Sequence, residues 1–259
     1  MRVASVALAL AWLVVASCGG PYTPKKMNVA TDKLAVADAL FEKRAFGRSA
    51  LEYKDFLATF AGDERCDYAQ FRLAESYRLD GEYALAEVEY QILHNDYQYS
   101  EYVDDAFFLE GLCLFRQAPR AERDQTKSYD ALDRLGRFLQ LFPTSPRAAE
   151  ARATIHDIHV RLGKKDFISA KLYFSKKAYD ASLIYLNKIV DLDTATVWSA
   201  RSLYYRARIE EARRDRAGAS GDYRKALAAK EAFPERQDAE KRLRLVDSQA
   251  TGASKRNGG

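Results

Sequence analysis

Leu73 to Leu93 reads LAESYRLDGEYALAEVEYQIL, and this stretch decides the fold. Small residues stand at Ala74 and Ala86, aromatic ones at Tyr77, Tyr83 and Tyr90, and a glycine at Gly81. With Ala74 as a marker, these lie at +3, +7, +9, +12 and +16. Offsets of three and four share one face of an α-helix. Gly81 falls between the two helical patterns, where glycine adopts a left-handed turn at least cost. The stretch therefore predicts two antiparallel helices in close contact through small residues.

The same mask recurs along the chain. Ala37 heads Leu40, Arg44, Phe46, Ser49 and Tyr53; Ala170 heads Tyr173, Lys177, Tyr179, Ser182 and Leu186; Ala207 heads Glu210, Arg214, Arg216, Ala219 and Tyr223. Gly111 starts a fifth unit with Leu114, which is interrupted and resumes at Ala131, Leu135 and Phe138. Successive markers are 37, 37, 59 and 37 residues apart. A period in this range is the signature of stacked helical hairpins, and this pattern is that of the tetratricopeptide repeat. The expected class is all-α, a repeat solenoid of about five hairpins with its third repeat interrupted. The helices expected first are 32–44, 47–60, 68–79 and 83–95, with Thr31 or Asp32 capping the first. After Phe115 a polar loop with Pro119 delays the second helix to about Ser128. Ser145 and Pro146 then read as the cap and first position of an extra helix, 147–162, separated by Gly163 from the helix around Ala170.

The ends read differently. Val3 to Ala16 is largely apolar after Arg2, too short to span a bilayer and suited to the core of a secretory signal. It ends in Val15-Ala16-Ser17-Cys18, which resembles the bacterial lipobox, in which the cysteine is acylated and becomes the new amino terminus. Lipidation of Cys18 is thus expected, and Gly19, in place of an aspartate, implies the outer membrane. The expected organisation is a signal (1–17), a lipidated linker (18–30), an amino-terminal arm (31–145), an extra helix with a carboxy-terminal arm (146–246) and a disordered tail (247–259). From residue 18 onward, 242 residues carry a side-chain charge of +3, with the charges interspersed. Such balance argues for neither a nucleic-acid partner nor a polybasic membrane patch.

Chemistry-bearing motifs are sparse. Cys66 and Cys113 make no disulfide framework, and Cys113 reads as a buried thiol. His156 and His159 share a helix face without a matching acidic ligand in sequence, so no metal site is expected. No phosphate-binding glycine loop or nucleophile elbow occurs, so no enzyme and no cofactor is expected beyond the lipid on Cys18. What remains is a surface. In such repeats the first helix of each pair lines a groove through positions −6, −3, +1 and +4 of the marker. In the amino-terminal arm these include Tyr68, Phe71, Glu75, Arg78, Asp105, Phe108, Leu112 and Phe115. In the carboxy-terminal arm they are Lys164, Phe167, Lys171, Phe174, Arg201, Tyr204, Arg208 and Glu211. Aromatics mixed with charge suit a peptide, and they equally suit packing between repeats.

The lipobox, the five repeats and the interrupted third repeat together resemble the BamD (YfiO) family of lipoproteins from the outer-membrane β-barrel assembly machinery. The most specific stretch is GLCLFRQAPRAERDQTKSYDALDRLGRFLQLFPTSPRAAEA, with Asp124-Gln125-Thr126 and then Phe142-Pro143-Thr144-Ser145. Where that family ends its first two repeats in a Tyr-Pro-like pair, this chain has Phe60-Ala61 and Tyr97-Gln98. The resemblance implies a non-enzymatic scaffold on the periplasmic face of the outer membrane. Its carboxy-terminal arm would bind the periplasmic domains of a BamA-type insertase, and its amino-terminal arm the targeting segments of unfolded barrel proteins. A pilotin-like lipoprotein for secretin or pilus assembly is the alternative; cell-wall-synthesis coordinators and SusD-type lipoproteins fit less well.

Overall fold

The computed structural model describes residues 29–193 and 195–256. The signal-like segment, Cys18 and the linker up to residue 28 lie outside the described residues, so the structure does not bear on them.

Eleven helices follow one another among the described residues, with no strand: α1 (Val29–Glu42), α2 (Phe46–Thr59), α3 (Cys66–Asp80), α4 (Tyr83–Asp96), α5 (Val103–Gln117), α6 (Thr126–Leu141), α7 (Ala148–Ser175), α8 (Tyr179–Leu192), α9 (Val197–Ala212), α10 (Arg216–Leu227) and α11 (Arg236–Arg256). Each packs on the next, and α7 also reaches α5 and α9. The fold is an all-α solenoid of helical hairpins whose odd-numbered helices stand side by side. Its core is a string of local clusters, α1–α3, α3–α7, α7–α9 and α9–α11, as a quasi-one-dimensional stack requires.

The marker explains the hairpin. Ala37, Ala74, Ala170 and Ala207 are at most 1% exposed, as are Ala86 and Ala219 at +12. Ser49 and Ser182 hold the +12 position in the first and fourth units, fully buried. Each donates its hydroxyl across the hairpin to the marker carbonyl, at 3.0 Å to Ala37 and 2.9 Å to Ala170. A buried serine is tolerated there because the partner helix accepts its proton. Tyr53, Tyr90, Leu186 and Tyr223 at +16 fill the space beneath, all at most 1% exposed. In the third unit Leu135 crosses the marker so closely that a Cβ on Gly111 would lie 2.7 Å from it.

Marker +7 is the turn. Gly81 takes φ +88°, as expected, but the equivalent Arg44, Lys177 and Arg214 also adopt left-handed φ of 57°, 57° and 64°. That conformation costs a side-chain-bearing residue about 1–2 kcal/mol.

Four expectations need correction. Thr31 and Asp32 do not begin α1, which already includes Val29; Thr31 instead accepts a hydrogen bond from Arg65 Nη1 at 3.0 Å. The extra helix begins later than expected, since α7 follows Arg147; the Ser145 hydroxyl accepts from the Arg147 amide at 3.2 Å, as a cap does, and also donates to Asp104 Oδ2 at 2.8 Å. Gly163 does not separate two helices, because α7 runs unbroken through it for 28 residues. The glycine serves packing: a Cβ there would meet Trp198 at 3.1 Å. The stretch from Asp247 is not a disordered tail throughout, since α11 continues to Arg256 and Asp247 accepts from Ser220 Oγ and Arg224 Nη2, both at 2.8 Å. Both cysteines are buried free thiols, and burial pushes Cys113 up to about 12.

These contacts predict opposite outcomes for one substitution in two helices. Gly136→Ala in α6 meets nothing within 4 Å and should raise stability by about 0.5–1 kcal/mol. Gly111→Ala in α5 must displace Leu135 and should lower it by about 1–3 kcal/mol. Urea unfolding of the two variants checks both signs.

Candidate peptide-binding surfaces on the odd-numbered helices

The predicted groove positions do fall on one series of helices, α3, α5, α7 and α9, and contacts between successive odd helices tie them into a ladder. At its start Arg72 lies 3.6 Å over the Phe41 ring, and Tyr68 donates to Asp38 Oδ1 at 2.8 Å. Burial and that carboxylate push the Tyr68 phenol up to about 12. Phe71 stacks on Tyr102 of the segment before α5, with centroids 4.7 Å apart and planes 14° off parallel. Arg78 grips Glu75 through two bonds of 2.6 and 2.8 Å, and Glu75 also accepts from the Tyr90 hydroxyl. Burial opposes ionisation of Glu75, yet the Arg78 guanidinium wins and holds the carboxyl below its ordinary value. Phe115 lies beneath Arg161 at 4.2 Å.

Phe108 is not on the surface. It is fully buried, 5.8 Å from the Phe138 ring, with Arg147 above it at 5.6 Å. Phe167 and Tyr204 are likewise buried, at 3% and 4% exposure, so these three support the ladder from below. Phe167 packs on Trp198 and Tyr205 with Arg201 4.5 Å above it. Phe174 meets Tyr205 edge-on at 4.9 Å. Tyr204 donates to Asp238 and accepts from Arg208 at 2.9 Å, while Arg201 binds Glu235 at 2.7 and 3.0 Å. Lys164 and Lys171 are exposed; Lys164 pairs with Glu122 at 3.1 Å, and Lys171 has no carboxylate at ion-pair distance among the described residues. Three of the sixteen predicted side chains are therefore core. The remaining thirteen lie half-buried or exposed along the ladder.

Sequence reading missed Tyr102, Arg147, Arg161, Trp198 and Tyr205, none of which occupies a mask position. It also missed how the third-repeat loop is built. Gln125, 1% exposed, donates its amide toward four carbonyls of that loop, those of Pro119, Arg120, Arg123 and Asp124. Asp124 accepts from the Thr126 amide at 2.7 Å, and Arg161 clamps the Ala118 carbonyl at 3.0 Å. Between this loop, α7 and Trp198 opens a cleft of about 730 Å³ that includes Phe115, Arg120, Arg161 and Lys164. On α7, His156 and His159 each lie 3.2 Å from one oxygen of Asp193, a partner that the sequence did not reveal.

The fifth repeat is less well satisfied than the others. The tyrosine at +16 donates to the acid at +1 where one exists, Tyr53 to Asp38 and Tyr90 to Glu75. In the fifth unit +1 is Arg208, and the Tyr223 hydroxyl is buried without a partner among the described residues. Glu210 also has a buried oxygen with no partner among the described residues. Burial, and then the Asp222 charge, push its carboxyl up to about 7.

The sequence pattern of a family described as "YfiO: Outer membrane lipoprotein" matches residues 35–227. No curated protein matches significantly. Solved structures similar to the chain include the TPR2AB domain of yeast Sti1 in a pHSP90 complex (13% identity, covering 88% of this chain and 86% of that one, TM-score 0.44). Others are the TPR protein TTC0263 of Thermus thermophilus (16%, 84% and 98%, 0.36) and MamA (18%, 76% and 90%, 0.36).

The burial pattern sets two expectations. Phe108→Ala should cost about 3–5 kcal/mol of stability, whereas Phe71→Ala, on the half-buried stack, should cost less than half as much; thermal unfolding separates them. A carboxyl whose folded pKa lies near 7 against about 4.5 unfolded weakens the fold as pH rises between those values. Glu210→Gln should therefore stabilise the protein by about 1–2 kcal/mol at pH 8, allowing for partial exposure, and leave it unchanged at pH 4. A pH series of urea midpoints reads the difference.

With its family pattern spanning three quarters of the sequence, the interrupted third repeat included, the chain belongs to the YfiO family of outer membrane lipoproteins.

Proposed function

We propose that this chain is a non-enzymatic scaffold of the outer-membrane β-barrel assembly machinery, anchored through acylated Cys18 to the periplasmic face of the outer membrane. The observation that carries this reading is the family match over the whole repeat body, interrupted third repeat included. The amino-terminal arm (31–145) holds segments of unfolded barrel proteins against Tyr68, Phe71, Arg78 and Phe115. Its aromatic–arginine ladder supports this reading, because stacked rings and partly neutralised guanidiniums offer apolar area and hydrogen bonds to a chain of varied sequence. The carboxy-terminal arm (146–246) faces the periplasmic domains of a BamA-type insertase through Lys164, Lys171, Phe174, Arg201 and Arg208. The exposed Lys164 and Lys171 and the ordered guanidiniums suit acidic or carbonyl-rich partners. Phe108, Phe167 and Tyr204 position these side chains without touching the partner.

The test is affinity purification of the acylated protein from detergent-solubilised membranes, with copurifying proteins identified by mass spectrometry. A barrel protein with POTRA-type periplasmic domains is expected. Lys171→Glu should reduce its recovery at least five-fold without loss of helicity. Phe71→Ala should spare that recovery and weaken binding of an unfolded barrel segment by roughly ten-fold. Recovery of a secretin, with no such barrel protein, would overturn the proposal.

A further inference from the structure

In this stack the residues two before and two after the marker of an odd helix turn toward the hairpin that precedes it. In α3 they are Arg72, which lies over Phe41 and donates to the Tyr53 hydroxyl, and Ser76, 3.4 Å from the Ser49 hydroxyl. In α5 they are Leu109 and Cys113, both buried in the α3–α7 cluster. In α9 they are Tyr205, which packs on Phe167 and Phe174, and Ile209, which is buried in one cluster with Phe167, Ala170 and Leu186. In α7 the same two places hold Ile168 and Leu172. These are 47% and 52% exposed.

The length of α7 is the cause. The core shared with α5 and α6 reaches along α7 only as far as Leu162. The third-repeat loop holds the next turn, through Arg161 on the Ala118 carbonyl and Lys164 on Glu122. Farther along, α6 meets this half of the molecule where Tyr129 accepts from Lys188 of α8 at 3.0 Å. The hairpin of α7 and α8 thus starts a second stack, and the side of it that a preceding hairpin would cover is left open. The first stack starts at α1, and there the chain places Ala35 and Ala39 at the two positions, both exposed. Small residues suffice where nothing is to be covered. Isoleucine and leucine one helical turn apart form an apolar stripe instead.

We propose that an acidic amphipathic helix of another protein lies across Ile168 and Leu172, in the place that a preceding hairpin fills elsewhere in the stack. Charge selects this occupant. Helical periodicity puts Lys164 and Lys171 on one flank of the apolar pair, and Lys165 and Lys176 on the other. Lys165, Lys171 and Lys176 have no carboxylate at ion-pair distance among the described residues. Asp166, the acid in this half of α7, is buried and pairs with Lys188 at 2.9 Å, so it does not offset them. The linker before α1, residues 19–28, carries Lys25 and Lys26 and no acid, so the face repels it. From Lys164 to Lys176 the face runs about 18 Å, which a partner helix of roughly three turns matches. Such a helix would set apolar residues at one-turn spacing against Ile168 and Leu172 and present carboxylates to the lysines on either side. Any protein bearing it fits, the insertase or another.

The experiment replaces Leu172 by the photoreactive residue benzoylphenylalanine in the full-length, acylated protein, in native membranes. After irradiation the crosslinked peptides are sequenced by mass spectrometry. The expected product joins position 172 to a segment of another protein that is net acidic and has apolar residues at helical spacing. Ile168→Asp should reduce that product at least five-fold with helicity and thermal midpoint unchanged, because the side chain is half exposed. Benzoylphenylalanine in place of Ile184, exposed on α8, should not give it. A product with a basic or non-helical segment, with a second copy of this chain or with lipid would overturn the proposal. So would a yield no greater than that from position 184. An acidic helix from a protein without POTRA-type domains would sustain this face while removing the insertase from it, so the two readings fail separately.

Discussion

Everything in this molecule depends on how closely the two helices of a hairpin approach at the marker residue. Alanine or glycine there lets the backbones meet, and the serine or alanine opposite keeps the distance. That approach sets where the large +16 side chain must go, and the +16 side chain fixes the spacing to the next odd helix. The ladder is a consequence. Side chains at −6, −3, +1 and +4 of successive markers line one series because the markers stack, and they meet one another, as Arg201 meets Phe167, or neighbours outside the mask, as Phe71 meets Tyr102 and Phe115 meets Arg161. A bulkier marker would separate the hairpin and the ladder together.

Polar satisfaction follows the same periodicity and shows where the repeat is imperfect. The +16 tyrosine is buried in three units and needs an acceptor. Asp38 and Glu75 supply one at +1; Arg208 does not, and it turns instead to Tyr204 and the carboxylates of Glu211 and Asp238. The fifth hairpin thereby exchanges an internal hydrogen bond for contacts with α11. That is intelligible in the last full repeat, whose outer face is closed by a single helix. In the middle of the stack, His94, Glu110 and Arg134 do the opposite. The buried Glu110 receives both partners, at 2.8 and 3.0 Å, and ties α4, α5 and α6 into one unit. A buried carboxylate so placed would be costly to leave alone, so the three side chains act as a set.

The fold was legible from spacing because the hairpin contact constrains residue size at fixed offsets, and size is visible in sequence. The left-handed turn was legible only where glycine marked it. At Arg44, Lys177 and Arg214 backbone strain is hidden behind ordinary residues. Gly163 misled for the complementary reason: a glycine demanded by the approach of Trp198 looks, in sequence, like one demanded by a turn. The candidate surface was half legible. Periodicity placed all sixteen side chains on the odd-numbered helices, but how deep each one sits depends on the neighbour's side chain. Phe108 lies under Arg147 and Phe71 beside Tyr102, and neither neighbour occupies a mask position.

Charge is the property for which sequence order was least informative. Lys43-Arg44 and Arg213-Arg214 are 170 residues apart, and between them acids and bases alternate to near balance. Within each arm acidic residues gather where odd helices start, because helix direction reverses at every turn. An acid at a helix start and a base at its end each complement the helix dipole. In an antiparallel pair the dipoles of the two helices cancel, but the side-chain charges of the odd helices do not cancel unless the even helices carry the same pattern. Here they do not: of α2, α4, α6, α8 and α10, only α8 has an acid in its first turn. A net charge near zero is therefore compatible with a local field along each arm, negative where its odd helices start.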